Sequence, residues 1–172
     1  MYDVGIYGLW YGRNYGSIMT YFALSAVVRD MGYSVVMVEN PLAGGNKREA
    51  DFPPAHPYHF SREQYDITEH YPLHEMEKLN DWCDTFLIGS DQMWNYTLSK
   101  AYGQSYFLDF VNDVHARVAY AASFGRMRYA APSEYKRNVG ENLKRFREIS
   151  VRDDFSKRIL EDEFGIEAKK GS

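Results

Sequence analysis

The chain has 172 residues, 45% of them hydrophobic and 26% charged, with a formal net charge of −4 and a single cysteine, Cys83. A chain of this size buries a core without disulfides or metals, and its acidic balance without clustered Lys and Arg argues against a nucleic-acid partner. It has no long apolar run and no signal peptide, so we expect a cytoplasmic protein with no integral membrane segment.

Short apolar runs alternate with helical patterns, which predicts βαβ units in a Rossmann-like three-layer α/β/α fold with a mainly parallel sheet. The first strand is predicted over residues 3–7, and a glycine-punctuated loop over 8–16 follows it. A helix then ends near Gly32, which suits a left-handed C-cap, and the second strand occupies 33–38. Residues 39–68 lose the pattern and are rich in Pro and Gly, so we expect an irregular, lid-like insertion.

The second half of the chain continues the same alternation. A short helix over about 69–80 leads to a third strand at 85–88, and further strands are predicted at 117–121 and 148–151. Helices are predicted from Pro132 to about 147 and over 153–164. We expect one domain over residues 1–170. The final Gly171-Ser172 resembles a cloning remnant, so we expect an expressed fragment of a longer protein.

The loop over residues 8–16 joins the first strand to the first helix and is the first candidate site. Its glycines are four residues apart, which is not the dinucleotide-binding pattern, so no NAD is inferred. The N-terminus of the following helix would suit a carboxylate or a phosphate, with Arg13, Asn14, Tyr15 and Gly16 close by. The alternative is that Asn14 only caps the helix and the glycines only turn the chain.

The run over residues 89–95 is the strongest candidate, because it places consecutive polar side chains directly after an apolar strand. A buried polar group without a hydrogen-bond partner lowers the stability of the fold, so a run of polar side chains is not expected in the core. Such a run is typical of a loop that binds a ligand. Asp91 is its only ionisable group and could act as a base or bind sugar hydroxyls. Ser90, Gln92 and Asn95 offer neutral hydrogen bonds, and Trp94 offers a stacking face. Alternatively, Asp91 caps a short helix and Trp94 fills the core.

Small residues also follow the strand that ends near residue 121, in the run that contains Ser123 and Phe124. No partner for a nucleophilic serine is close in sequence, so we interpret this run as a binding loop. His70 and His74 have the spacing of a helical metal pair, but no third ligand is apparent and a solvated helix face is the better interpretation. We expect no metal.

Five short motifs in the same order resemble the polysaccharide pyruvyl transferase family over nearly the whole chain. They are NYGSI at 14–18, GSDQMWN at 89–95, YFLDF at 106–110, YAASFG at 120–125 and ISVRD at 149–153. The resemblance implies one half of a two-domain fold like that of glycosyltransferases of the B type, with the active site between the halves. It also implies transfer of the pyruvyl group of phosphoenolpyruvate, as donor substrate without a cofactor, to a hexose of a bacterial surface polysaccharide or its lipid-linked precursor.

By this resemblance the chain is the N-terminal half and is expected to bind the saccharide acceptor, in the cytoplasm or at the inner face of the membrane. The C-terminal half is expected to supply the cations and the histidine that hold phosphoenolpyruvate, so the isolated half is expected to be inactive. Asp91 is the candidate base. Arg152 either faces the cleft, as we prefer, or pairs only with Asp153 or Asp154.

Two other functions remain open from the sequence. The chain could be a glycosyltransferase-like domain that uses a nucleotide-sugar, because fold does not determine function. It could also be a non-catalytic carbohydrate-binding domain. An isolated half should expose the apolar face meant for its partner, so we expect either self-association or cover by the 39–68 segment.

Overall fold

A computed structural model describes residues 1–12, 14–42 and 57–171. Helices and strands alternate through most of the chain, with three short 3-10 segments at Leu73–Asp81, Lys100–Tyr102 and Ser105–Phe107. The strands are β1 (Tyr2–Tyr7), β2 (Val35–Met37), β3 (Cys83–Gly89), β4 (Ala116–Ala122), β5 (Glu148–Val151) and β6 (Lys169–Lys170). The helices are α1 (Tyr15–Asp30), α2 (Pro57–Glu63), α3 (Tyr96–Ser99), α4 (Ser133–Leu143) and α5 (Asp154–Phe164).

The six strands form one sheet in the order β2-β1-β3-β4-β5-β6, and every pairing is parallel. This confirms the predicted α/β class with its parallel sheet. The sequence prediction missed β6, because two exposed lysines carry no hydrophobic pattern. β6 is held by the backbone, through the pairs Ser150 with Lys169 and Val151 with Lys170.

Local signals explain the bounds of α1. The Asn14 side chain accepts hydrogen bonds from the backbone N–H groups of Gly16 at 3.0 Å and Ser17 at 3.4 Å, which caps the first turn. At the other end the chain leaves the helix through Gly32, whose φ of 92° lies in the region that favours glycine. Asn14 therefore caps α1, as one of the two interpretations of this loop proposed, and the predicted helix end is confirmed.

Apolar side chains lie on both faces of the sheet. One face packs against α4, α5 and the 3-10 segments, around residues such as Phe86, Ile88 and Trp94. The other face packs against α1 and the segment that includes Tyr65, through side chains of β1 and β2. On this second face the side chains of β3 and β4 are only partly buried or exposed.

The described part of the predicted insertion lies beside β2 and α1. The Phe22 and Phe60 rings have their centroids 5.7 Å apart, and the backbone of Met37 exchanges hydrogen bonds with Asp66 and Thr68. Residues 43–56 of the insertion lie outside the described residues. The part that is described covers the β2 side of the second face and leaves the β3–β4 side open. None of the described helices has the length and hydropathy of a membrane span.

Candidate functional site

The carboxyl ends of neighbouring strands bring the predicted loops to one edge of the sheet. β1 and β3 are adjacent, yet β1 leads to β2 on one side and β3 leads to β4 on the other. Such a reversal of strand order leaves a crevice at the carboxyl ends of both strands, where open α/β sheets bind ligands. The N-terminus of α1 and residues 90–95 border the crevice, and the loops after β4 and β5 lie next to it.

Asp91 connects three of these loops. Its Oδ2 accepts a hydrogen bond of 2.8 Å from Ser17 Oγ on α1, and its Oδ1 accepts one of 2.7 Å from the Gln92 N–H. Arg152 Nη1, after β5, lies 4.0 Å from Oδ1. The Asp91 side chain is 24% exposed and that of Arg152 42% exposed. The carboxylate is therefore fixed in orientation and still accessible from solvent.

Arg152 lies at the edge of the sheet that carries Asp91. Its guanidinium pairs with Asp91, whereas the neighbouring Asp154 pairs with Lys170 at 2.8 Å. The Asp91 distance is too long for a direct hydrogen bond, so the pair leaves donors of Arg152 available to a third group.

The turn after β3 is unusually tight. Gly89 has a φ of 133°, and a Cβ there would lie 1.8 Å from the carbonyl oxygen of Tyr120 on β4. The Gly89-Ser90 peptide bond is cis. Glycine is thus required at the point where the polar loop leaves the sheet, because backbone occupies the space that any side chain would need.

Trp94 and Asn95 turn inward. The Trp94 ring is fully buried and stacks on Phe107 with ring centroids 5.7 Å apart, and its Nε1 donates to the carbonyl of Tyr106 at 2.9 Å. Asn95 is buried and caps α3 by accepting a 3.0 Å hydrogen bond from the Thr97 N–H. The expected stacking face of Trp94 is therefore corrected: the residue fills the core, as the alternative interpretation had it. The cap of α3 is Asn95 and not Asp91.

Ser123 and Phe124 are also buried, so the loop after β4 packs beneath the Asp91 loop and is not part of its accessible surface. The Ser123 N–H donates to the Asp91 carbonyl at 3.1 Å, and Ser123 Oγ donates to Asp153 Oδ2 at 2.6 Å. The Gly125 N–H in turn donates to Ser123 Oγ at 2.8 Å. Ser123 therefore links the Asp91 loop to the loop after β5, and its buried hydroxyl has no open path to a ligand.

Asp153 completes this network as the N-cap of α5. It accepts a 2.7 Å hydrogen bond from the Ser156 N–H in addition to that from Ser123. Partial burial opposes ionisation of the carboxyl, but the hydrogen bonds from Ser123 and Ser156 outweigh it and lower its pKa. Asp153 therefore stays charged and holds the residue before it, Arg152, at the edge of the sheet.

The remaining predicted residues divide by exposure. Tyr15 is 66% exposed, and Asn14 and Gly16 are exposed beside it at the start of α1. Ser90 and Gln92 are partly exposed. Arg13 lies outside the described residues. The accessible part of the site thus consists of the α1 N-terminus, the residues from Ser90 to Gln92, and Arg152.

The described histidines are not gathered into a metal-binding cluster. His70 precedes the 3-10 segment that contains His74, so the two share no helical face. No three His, Cys, Asp or Glu side chains come together as metal ligands in the part of the chain that is described. Burial raises the pKa of Cys83 to about 12, as expected for a small buried side chain that is not a nucleophile.

One residue that builds the site, Ser17, was not predicted from the sequence. Ser17 belongs to the NYGSI motif but is 74 positions from Asp91, and no local pattern connects the two.

The accessible groups favour recognition of polyhydroxyl compounds and anions. A partly exposed carboxylate and neutral hydrogen-bonding groups suit sugar hydroxyls, while Arg152 and the α1 N-terminus suit a negative charge. A family model described as polysaccharide pyruvyl transferase matches residues 14–170. Among curated proteins no match is found.

Proposed function

Because the chain belongs to the polysaccharide pyruvyl transferase family, we propose that it takes part in moving the pyruvyl group of phosphoenolpyruvate onto a hexose of a surface polysaccharide. The product is a ketal between C2 of the pyruvyl unit and two hydroxyls of the sugar. The observation that carries the proposal is the Asp91 carboxylate, held by Ser17 and paired with Arg152 at the edge of the sheet.

We assign acceptor binding to this chain. The Asp91 carboxylate is a suitable acceptor for a sugar hydroxyl, and the partly exposed Ser90 and Gln92 beside it offer further hydrogen bonds. The exposed Tyr15 ring offers an apolar face of the kind that packs against a sugar ring. Trp94 has no part in this, because it lies in the core.

The proposed chemistry requires a base and an acid. Protonation of C3 of phosphoenolpyruvate makes C2 electrophilic, and a sugar hydroxyl adds to C2 while a base takes the hydroxyl proton. The C2–O bond to phosphate then breaks, and a second hydroxyl adds to C2 and closes the ketal. The proton of that second hydroxyl passes to the leaving phosphate, which departs as inorganic phosphate. Asp91 is the proposed base, since its carboxylate is accessible and its orientation is fixed before the acceptor binds.

Arg152 is proposed to bind an anionic group of the donor. It is 4.0 Å from Asp91, so a donor held by its guanidinium would lie close to a hydroxyl held by Asp91. A donor with both a carboxylate and a phosphate needs several cations, and we propose that a second domain facing this edge supplies the others together with the acid for C3.

The test is phosphate release from phosphoenolpyruvate with pooled hexose acceptors, measured for this chain alone and for the chain joined to that second domain. Release only by the two-domain protein supports the proposal and assigns the donor cations to the second domain. If neither protein releases phosphate although the longer one is folded, the proposal is contradicted. A bound nucleotide-sugar would then favour a glycosyltransferase-like role, and saturable sugar binding without turnover would favour a non-catalytic one.

A further inference from the structure

A cavity of about 450 Å³ lies at the amino ends of β4 and β5, on the opposite edge of the sheet from Asp91. Its volume is within the range of about 300–1,000 Å³ that is typical of small-molecule sites. The polar side chains that line it are three arginines, one carboxylate and one histidine: Arg117, Arg145, Arg147, Asp113 and His115. The guanidinium groups of this lining therefore exceed its carboxylate by two positive charges.

Arg117 contributes a buried charge to the cavity, because its side chain is only 2% exposed. Its Nε donates to the Leu108 carbonyl at 3.1 Å, its Nη2 donates to the Val111 carbonyl, and its Nη1 donates to Asp113 Oδ1 at 3.2 Å. The two carbonyls orient the guanidinium but carry no net charge. Asp113 is 81% exposed, so solvent weakens its compensation of the buried charge.

Arg145 binds the same two acceptors as Arg117. Its Nε donates to Asp113 Oδ1 at 3.0 Å, and its Nη2 donates to the Val111 carbonyl at 2.8 Å. Two guanidinium groups thus converge on one exposed carboxylate, and their like charges repel each other. Burial and the neighbouring Arg145 lower the pKa of Arg117 accordingly. Asp109, a further carboxylate close to both guanidinium groups, does not line the cavity.

Arg147 brings a third guanidinium to the cavity. Its backbone N–H donates to the Arg117 carbonyl at 2.9 Å, where β5 begins beside β4. The carboxylate next to it in the chain, Glu148, is paired with Lys169 Nζ at 2.9 Å. Among the described residues, none forms a hydrogen bond or an ion pair with the Arg147 guanidinium. Its donors are therefore available to a group in the cavity.

We infer that this cavity binds a small molecule through a phosphate group. Arginine donates parallel hydrogen bonds to two oxygens of a phosphate, and its guanidinium keeps its charge even when it is partly buried. A phosphate monoester carries about 1.5–2 negative charges at pH 7, which matches the excess of positive charge in the lining. The bound phosphate also reduces the repulsion between Arg117 and Arg145. Because the cavity lies at the edge of the sheet away from Asp91, this site is separate from the proposed transfer reaction.

Isothermal titration calorimetry with inorganic phosphate tests the inference, with chloride at equal ionic strength as the comparison. Phosphate is expected to bind at one site and chloride is not. Arg147→Gln is expected to weaken phosphate binding about tenfold, because hydrogen bonds to charged groups contribute about 1.5–3 kcal/mol. Arg137→Gln is the matched control, since it removes the same charge at an exposed position of α4 that does not line the cavity. Circular dichroism checks that both variants are folded.

Asp113→Asn tests the charge argument in the opposite direction. The amide keeps an oxygen that accepts from Arg117 and Arg145, but the negative charge of the lining is lost. Phosphate binding is therefore expected to become several-fold tighter, and more so at low salt. Asp162→Asn makes the same change at an exposed position of α5 outside the cavity and is expected to leave binding unaltered.

Cosedimentation with vesicles distinguishes two sources of the phosphate group, a soluble compound and a phospholipid headgroup. The vesicles consist of phosphatidylcholine with added phosphatidylglycerol. Vesicle binding that is lost in Arg147→Gln and kept in Arg137→Gln assigns the site to a headgroup. Calorimetric binding of phosphate without vesicle binding assigns it to a soluble compound.

Three results would overturn the inference. The first is the absence of saturable phosphate binding together with the absence of vesicle binding that depends on Arg147. The second is an equal effect of Arg147→Gln and Arg137→Gln, which would mean that the anion responds only to the net charge of the chain. The third is unchanged or weaker phosphate binding in folded Asp113→Asn.

Discussion

Asp91 depends on Ser17 for its orientation. The 2.8 Å hydrogen bond to Oδ2 is made by a buried serine on α1, while Oδ1 is held by the backbone of the Asp91 loop itself. Of these two donors to the carboxylate, only the Ser17 hydroxyl belongs to a side chain. A base that rotates by even a small angle loses alignment with the hydroxyl that it deprotonates.

Ser17→Ala tests this arrangement in the chain joined to the proposed second domain. We expect kcat to fall about tenfold with little change in KM, because the carboxylate stays present but loses its alignment. Ser17→Thr keeps the hydroxyl and should restore most of the activity. Ser25→Ala is the control on the same helix, since Ser25 Oγ donates within α1 to the Phe22 carbonyl. Equal losses in Ser17→Ala and Ser25→Ala would mean that Ser17 acts only through stability.

Asp153 should make stability depend on pH. Burial opposes ionisation of Asp153 in the folded chain, but the hydrogen bonds from Ser123 and Ser156 outweigh it and lower the pKa of the carboxyl. The carboxylate therefore contributes to the free energy of unfolding above the unfolded pKa of about 3.9. This contribution is lost as pH falls through the folded pKa. Asp153→Asn is expected to lower the free energy of unfolding at pH 7 by up to about 1 kcal/mol, because solvent screens the carboxylate.

Urea unfolding of both proteins between pH 7 and pH 3 measures this. The difference in the free energy of unfolding between the wild type and Asp153→Asn should narrow as pH falls below about 4. The wild-type carboxyl then becomes protonated and is neutral like the amide. Asp162→Asn, at an exposed position of α5, is the control. A difference that stays constant over the whole range would show that the charge of Asp153 does not contribute.

At the scale of elements, the approach of β3 to β4 determines where the polar loop begins. A side chain at Gly89 would meet the Tyr120 backbone, which cannot move without breaking the sheet pairing of the two residues. Gly89→Ala should therefore cost about 3 kcal/mol or more in the free energy of unfolding.

Gly165→Ala provides the comparison for urea unfolding. Gly165 has a φ of 65° at the end of α5, and a Cβ there would meet nothing within 4 Å. Only the left-handed conformation is then penalised, at about 1 kcal/mol. Similar losses for the two variants would mean that the contact with Tyr120 is not what requires glycine at residue 89.

The elements also show what could be predicted from the sequence. The strands and the polar loops behind them were predictable, because apolar runs and their sudden end are local signals. The burial of Trp94 could not be predicted in the same way. Its polar neighbours in the sequence indicated an exposed loop, and the Phe107 ring on which it stacks lies 13 positions further on. The contact between Ser17 and Asp91 exists only because β1 and β3 are adjacent, and that adjacency follows from the topology of the whole sheet.

At the scale of the whole molecule, the described part of the chain presents two different surfaces. The carboxyl edge of the sheet carries Asp91 and Arg152 and is proposed to face a donor-binding domain. A groove of about 810 Å³ beside α1 is lined mainly by apolar side chains, among them Val27, Leu87 and Val118.

The most direct measurement of the central claim is phosphate release from phosphoenolpyruvate by the chain joined to the proposed second domain and carrying Asp91→Asn, with Asp84→Asn as control. The two residues lie just beyond the carboxyl end and near the amino end of the same strand, β3. We predict that Asp91→Asn lowers kcat by about 10²–10⁴-fold, as expected for loss of a base, and that Asp84→Asn leaves it unchanged. Equal activity of the two variants would contradict the assignment of the site to Asp91.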